Sequence, residues 1–541
     1  MKLKALQPRL HNIVFHTHTV SGIVISFALF ICFYAGALAL FIDELYRWEN
    51  PEARFETPAQ VDYNKVIEAV ATYEAAFLPT EEFVVLPPHE HSPYIRFFGR
   101  KKVQEGKQED TERFRVVIHP TTFEIISEER PRTTMANTLY RLHFFGQIPV
   151  VGIYLSGLVA FFFLFAIITG VLVHWKNITQ KFYALTTKGK WKQIWTNSHT
   201  TLSMLTLPFQ FVYAVTGALL GISIFLLLPA AFLLFNGDTN EIIKFIRPEF
   251  ALKYDKEAPA LKQYYSVDDL CDKTLVKYPN AEITVFFATN YGKEDGTVTM
   301  RFDDKTGVAS DGSIIYRCKD ASVIKEIIPN QKSYAEGAYG AIVKLHFVTF
   351  GGIFLKVIYF ILAMVTCYVI MSGVMIWRTA RANKRYTEKQ QRFHQKVTQA
   401  YLAITLSLFP AVASIFLANK LVPMALPDRT FYVNTIFFSS WLLLTLVGIF
   451  WNNYRILNRN YLLVGSSLGI FIPIANGLVT GDWLWQTFVK GQYYVFSVDF
   501  TWLLTSIIGL LASKYYFSKK QSTVNLQHKE KQPAQQITSY S

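Results

Sequence analysis

The sequence predicts an α-helical membrane protein of about eight transmembrane helices, with two small α+β domains inserted between helices 1 and 2 and between helices 3 and 4. Three observations point there. Hydrophobic residues make up 51% of the chain and charged residues only 17%, well short of the charged quarter usual in soluble domains. Eight windows stay apolar for the roughly 18 or more residues needed to cross about 30 Å of hydrocarbon. Two polar stretches, 43–142 and 236–340, interrupt these windows and carry helix and strand patterns of their own.

The windows fall at 19–42, 147–173, 200–235, 347–377, 397–418, 431–451, 461–479 and 495–517. The first is expected to stay in the membrane, because it is too long for a cleavable signal and no small-residue cleavage site follows it. The chain then divides into 1–42 (N-terminus and first span), 43–142 (first outer domain), 143–235 (second and third spans with their loop) and 236–340 (second outer domain). There follow 341–380 (fourth span), 381–396 (a basic linker), 397–517 (four C-terminal spans) and 518–541 (a tail). Basic residues set the orientation: Lys2, Lys4 and Arg9 precede the first span, Lys176 to Lys192 lie between the second and third, and Arg378 to Lys396 between the fourth and fifth. Those loops are expected in the cytoplasm, with both termini inside. They also account for most of the net charge of +14, so no nucleic-acid partner is needed to explain it.

In the first outer segment VDYNKVIEAVATYEAAF reads as a helix, followed by YIRFFG and RFRVVIHPTTFEII as strands; in the second, YSVDDLCDKTLVKY precedes AEITVFFATN, GTVTMRFDDKTG and SIIYRCKD. Cys271 and Cys318 share the second segment, so a disulfide between them is one option in an oxidising compartment. Cys32 and Cys367 fall in spans.

The first 380 residues repeat. LHFFGQIPVVGIYLSGLVAFFFLFAIITGVLVHW aligns without a gap on LHFVTFGGIFLKVIYFILAMVTCYVIMSGVMIWR, placing His143 on His346 and Gly170 on Gly373. HTVSGIVISFALFICFYAGAL aligns on HTTLSMLTLPFQFVYAVTGAL, placing His18 on His199 and Gly36 on Gly217. No comparable unit appears after residue 390. Copies that cross the membrane in the same sense pack about a pseudo-twofold axis along its normal, so equivalent histidines face each other. His18 and His199 form one expected pair at the inner surface, His143 and His346 another at the outer surface where they start the inward-going spans.

Ionisable residues at the mouths of spans are costly and usually functional. Two imidazoles alone leave a bare metal short of ligands, and the spans offer almost no Asp, Glu or Cys nearby. A haem brings four nitrogens of its own, so two axial histidines complete six-coordinate iron. Gly36, Gly170, Gly217 and Gly373 are then expected to let a flat macrocycle approach the backbone, although small residues also serve ordinary helix packing. The reading is two haems at two depths, an electron path across the bilayer. His174 breaks the pattern, since its partner position is Trp377; it ligates the inner haem, bonds a propionate, or is interfacial. His16 is an alternative inner ligand. His394 opens the fifth span without a repeat partner and stays unassigned. His11, His89, His91, His119 and His528 fall in polar segments and are expected to be solvated, with contact to an external metal or substrate a secondary option for His89 and His91 in PPHEH.

This arrangement resembles the PepSY-associated transmembrane helix family, which includes inner-membrane ferric-siderophore reductases. The resemblance rests on HTHTVSG, LHFFG, ITGVLVHW, SHTTLSM, LHF and MSGVMIW, and covers residues 1 to about 385. It implies a multi-pass protein of the bacterial inner membrane with PepSY-like periplasmic domains. It also implies a b-type cytochrome holding two haem b groups, which passes electrons to a ferric siderophore or other ferric complex and releases ferrous iron for uptake. No G-x-G-x-x-G fingerprint or flavin domain follows any span, so the expected donor is a cytoplasmic flavoprotein docked on the basic loops or a membrane quinol. The four C-terminal spans exceed the family's short members and contribute only His394. Two other functions compete: a membrane-anchored binding or regulatory protein without haem, and a transporter. Against the latter, no span is expected to be broken.

Overall fold

The computed structural model describes residues 7–529 apart from 59, 90–91, 103–110, 128–134, 187, 239–240, 242–243, 245–250, 256, 305–309, 333, 425 and 452. The chain forms two compact units, Met1–Trp377 and Arg378–Ser541.

In the first unit α1 (Pro8–Ala39) starts on a proline, whose missing N–H costs nothing at a helix N-terminus, and is the first span. It is followed by α2 (Ile42–Glu49), with Asp43 and Glu44 in the first turn and Arg47 in the last, charges that suit the helix dipole. Next come α3 (Tyr63–Tyr73) and strands β1 (Phe83–Leu86), β2 (Ile95–Lys102), β3 (Thr111–Ile118) and β4 (Ile125–Ser127). Then α4 (Met135–His143) leads to the spans α5 (Val151–Val173) and the pair α6 (Trp191–Leu205) and α7 (Leu207–Leu234). The second copy repeats the order with α8 (Val267–Lys277), β5 (Glu282–Thr289), β6 (Thr297–Asp303), β7 (Asp311–Arg317), β8 (Val323–Ile327), α9 (Tyr334–Phe347) and the span α10 (Gly352–Arg381).

Each polar segment forms the expected helix and antiparallel strands, but the two are joined. β1 pairs with β5, giving one eight-stranded sheet of order β4-β3-β2-β1-β5-β6-β7-β8. Its core is continuous across the joint: Val66 and Val70 of α3 pack with Phe83, Phe97, Phe286, Met300, and Leu270 and Cys271 of α8. The two helices are locked together because Asp268 of α8 accepts hydrogen bonds from the backbone of Tyr63 and Asn64, both at 2.9 Å, at the first turn of α3. Cys271 and Cys318 are buried and free, so the disulfide option does not materialise. Burial raises both thiols, Cys318 to about 12, which keeps them protonated and unreactive.

Seven stretches among the described residues are long and apolar enough to cross a membrane, and α6 with α7 makes an eighth that is bent by 71°. The expectation of unbroken spans is therefore corrected at the third. Thr206 sits at the bend, with Pro208 just beyond at the start of α7. The polar groups there satisfy one another: the Thr206 hydroxyl donates to the Leu202 carbonyl at 2.7 Å and accepts from the Gln210 amide at 2.8 Å.

The second unit contains α11 (Glu388–Leu406), α12 (Leu408–Leu421), α13 (Arg429–Phe450), α14 (Tyr454–Thr480) and α15 (Tyr493–Lys529). α11 and α12 together form one span, so four spans follow the repeat, as expected. Asp499, near the start of α15, is fully buried and accepts from the Asn476 amide of α14 at 2.8 Å.

Candidate functional site

The four repeat-matched histidines meet as two pairs. His18 and His199 have ring centroids 6.4 Å apart, and His143 and His346 have theirs 6.0 Å apart. The second pair lies next to the segments that build the sheet and is termed sheet-proximal; the first is sheet-distal. Both sites contact α1, and from His18 to the Cys32 carbonyl that meets His143 the helix rises about 21 Å.

The sheet-distal rings belong to spanning helices. His18 on α1 leans on α5, its Nδ1–H donating to the Ala166 carbonyl at 2.8 Å with the Thr169 hydroxyl at 3.3 Å. His199 on α6 leans on α10 in the same way, with the Val369 carbonyl at 2.9 Å and the Ser372 hydroxyl at 3.2 Å. The gapless repeat carries Ala166 onto Val369 and Thr169 onto Ser372, so the symmetry extends to the hydrogen-bond partners.

The sheet-proximal rings are placed differently from expectation. His143 does not start its span: it ends the short helix α4, and residues 144–150 turn the chain before α5, with positive φ at Phe145 and Val150. His346 is the penultimate residue of α9, followed by a turn with positive φ at Val348, Gly351 and Gly352. The Nδ1–H of His143 donates to the Cys32 carbonyl at 2.7 Å. That of His346 meets the Thr216 hydroxyl at 2.9 Å. Thr216 gives its own proton to the Val212 carbonyl at 2.7 Å and so accepts from the imidazole. Tyr213 donates to the His346 carbonyl at 3.1 Å.

A carbonyl only accepts, and the Thr216 proton is spent elsewhere, so all four rings carry the proton on Nδ1 and leave Nε2 with its lone pair. This is how metal-ligating histidines are usually held, the second nitrogen tied to a carbonyl or other acceptor. The ring spacing suits a single ion between each pair: two metal–nitrogen bonds of about 2 Å, together with the ring radii, separate the centroids by roughly 6 Å. Among the described residues no group of three or more His, Cys, Asp or Glu side chains is placed to hold a metal ion. An ion held by either pair must therefore bring its other donors with it.

Three of the four glycines lie beneath an imidazole. A Cβ on Gly36 would come within 2.6 Å of His143 Nδ1, one on Gly170 within 3.1 Å of His18 Cε1, and one on Gly373 within 3.2 Å of His199 Cε1. Gly217 instead faces Ala160 of α5, at 3.2 Å from such a Cβ, with His346 Cε1 at 4.0 Å. A cavity opens at the sheet-proximal pair, walled by Phe33, Phe163, Phe209, Tyr213 and Tyr359 as well as both histidines. Phe33 and Phe163 meet edge to face at 5.5 Å, and Tyr213 reaches His346 at 5.2 Å.

The remaining candidates separate from the pairs. His174 closes α5, half-buried, within electrostatic reach of His18, His11 and Lys181. His16 is exposed on α1, and His11 is on the same helix instead of in a polar segment. His119 accepts from the backbone of Thr121 and Thr122 and packs at a tilt against Phe55, a structural role. His89 lies in a backbone bridge with Ser92, His91 is outside the described residues, and so is the side chain of His528. His394 sits within α11, edge-on to Tyr386 at 5.4 Å.

Sequence reasoning missed the hydroxyl partners, although the ITG and MSG motifs place Thr169 and Ser372 at matched positions. It also missed a buried ion pair at the mouth of α10, where Lys356 reaches Glu44 of α2 at 3.2 Å. A family profile described as PepSY-associated TM region matches residues 15–380. No curated protein matches the chain.

Proposed function

The chain belongs to the PepSY-associated transmembrane family, and from that premise we propose that it carries electrons across the bacterial inner membrane through two b-type haems to a ferric complex, a ferric siderophore first among candidates. The observation that carries the reading is the pair of bis-imidazole gaps, each one metal ion wide, with every Nδ1 tied back to a neighbouring helix. A haem held by two histidines would supply a one-electron ferric/ferrous couple.

The chain's own residues supply the rest. In this reading His18 with His199 would hold one haem and His143 with His346 the other. The Ala166, Val369 and Cys32 carbonyls and the Thr216 hydroxyl fix each ring's tautomer and angle, which raises the basicity of Nε2. Gly36, Gly170 and Gly373 allow the rings their close approach. The aromatic wall gives the sheet-proximal site a largely apolar lining. Each ferric complex accepts one electron and leaves as ferrous iron, so a two-electron donor such as a quinol serves two complexes and gives up two protons. A cytoplasmic flavoprotein docked on the basic loops is the alternative donor, with both termini on that side.

The test is the reduced-minus-oxidised visible spectrum of the detergent-purified protein, with haem quantified per chain. Two low-spin haems are expected, falling to about one in His143→Ala, His346→Ala or His18→Ala, and ferric-siderophore reduction should fall with them. A colourless protein from haem-replete cells would sink the reading and leave a membrane-anchored binding protein. The bend between α6 and α7 does not favour a transporter, because Thr206 and Gln210 already satisfy the polar groups a substrate would need there.

A further inference from the structure

Strand alternation gives the sheet two unlike faces. One carries Phe83, Phe97, Val116, Phe286 and Met300 and is covered by α3 and α8. The other looks toward the spans. α2, which follows α1 after two residues, packs on it through Tyr46, whose ring lies 4.7 Å from that of Tyr94, beside Val117. Lys344 of α9, two residues before His346, reaches the same face, with Asp303 at 2.8 Å and the Ser310 hydroxyl at 3.0 Å.

The register across this span-facing surface is explicit. Arg115 of β3 lies opposite Phe98 of β2, Phe98 opposite Val84 of β1, and Val84 opposite Phe287 of β5. The Arg115 guanidinium lies over the Phe98 ring at 5.3 Å, and that of Arg301 over the Phe287 ring at 5.1 Å. Arg115 is exposed, and Val84, Phe98, Phe287 and Arg301 are half-exposed, so the row is open to a ligand. Arg96, Arg100 and Arg113 share the face by the same alternation. The acids within its strands are Glu282, Asp303 and Asp311, of which the last two answer Lys344 and Lys332, and the exposed Glu82 lies two residues before Val84. The row crosses the β1–β5 joint between the two repeat copies.

We propose that this row is a recognition site for an anionic, aromatic metal chelate, of which a tris-catecholate complex is the simplest case. Guanidinium groups answer the negative charge of the chelate and donate to its ring oxygens. Half-exposed phenyl rings offer stacking faces to its aromatic arms. A neutral tris-hydroxamate brings neither feature. Lipid phosphates would use the arginines but not the apolar centre at Val84, Phe98 and Phe287, so the chelate is the better match. The choice of a metal chelate rests on the reductase reading; the binding itself does not need it.

The experiment uses the full-length protein in uncharged detergent, titrated with gallium(III) tris-catecholate, which cannot be reduced, and followed by intrinsic fluorescence. Wild type should bind, and more weakly as salt rises. The Arg115→Gln/Arg301→Gln double variant should lose about tenfold or more in affinity. A neutral gallium tris-hydroxamate should bind at least about tenfold more weakly than the catecholate. A wild-type circular dichroism spectrum and thermal midpoint show that the double variant is folded; should it misfold, the wild-type preference between the two chelates still decides. Equal binding of the two chelates, or wild-type affinity in the folded double variant, overturns the proposal. So does loss of chelate binding in phosphatidylglycerol nanodiscs, which would make lipid the occupant. A colourless protein that still binds the catecholate removes the reductase reading and leaves this site standing.

Discussion

At the sheet-distal pair His18 and His199 sit within spanning helices, each tied to one carbonyl and one hydroxyl and each over a glycine. At the sheet-proximal pair His143 and His346 close short helices that the spans do not continue, and their partners differ: a backbone carbonyl for one, a threonine hydroxyl for the other. The repeat symmetry is thus kept where only spans meet and relaxed where the sheet attaches. Glu49 of α2 accepts from the backbone of Met135 and Ala136, holding the start of α4, while Lys344 ties α9 to the β6–β7 hairpin. The two anchors are chemically unlike, so the helices that carry the two proximal imidazoles are tied to the rest of the domain by different groups.

The comparison breaks most readily at the glycines. Under the proposed haem reading, Gly36→Ala should cost most of the sheet-proximal haem, because the new Cβ lies 2.6 Å from His143 Nδ1, while Gly217→Ala at the matched position should change haem content little. Equal losses, read as haem per chain, would contradict the asymmetry. Next in size, Lys344→Met should destabilise the protein by about 1–3 kcal/mol, less than a fully buried pair because Asp311 is partly screened by water. Its spectral change should be confined to the sheet-proximal haem, and a shift at both sites by low-temperature spectroscopy would argue against local anchoring. Thr216→Val removes the acceptor for His346 Nδ1 and should cost about 1–2 kcal/mol in haem retention. Thr169→Val should cost less, since the Ala166 carbonyl still holds His18; competition with apomyoglobin compares the two. Smallest of all, Gly170→Ala and Gly373→Ala should shift the distal midpoint potential by similar small amounts, because their Cβ contacts of 3.1 and 3.2 Å ask only slight movement. A large difference between them would show that the distal pair is less symmetric than its contacts.

Much of this was legible in the sequence, and the misses have physical causes. The gapless repeat places His18 against His199 and His143 against His346, because equivalent positions about a twofold must face each other. The short helices before α5 and α10 went unseen because the apolar run continues through the turns, although Gly146, Pro149, Gly351 and Gly352 mark them. Pro208 likewise marks the bend after α6, but hydropathy does not fall there. Joining β1 to β5 left no local trace: the partners Val84 and Phe287 are far apart in sequence, and nothing in either strand records the other. The acceptors for the imidazoles are mostly backbone carbonyls, which every residue possesses, so packing alone selects Ala166, Val369 and Cys32.

Because β1 and β5 pair antiparallel at the centre of the sheet, the strand order of each half mirrors that of the other about this joint. Two identical chains carrying one copy each would make this joint by setting β1 against β1. The first 377 residues are in effect a homodimer written into one reading frame. Fusion fixes the stoichiometry of the halves and closes a strand edge that either half alone would present to any passing chain. It also frees one copy to change without the other, as at residue 216, where the threonine that holds His346 stands opposite an alanine, Ala35, in the first copy.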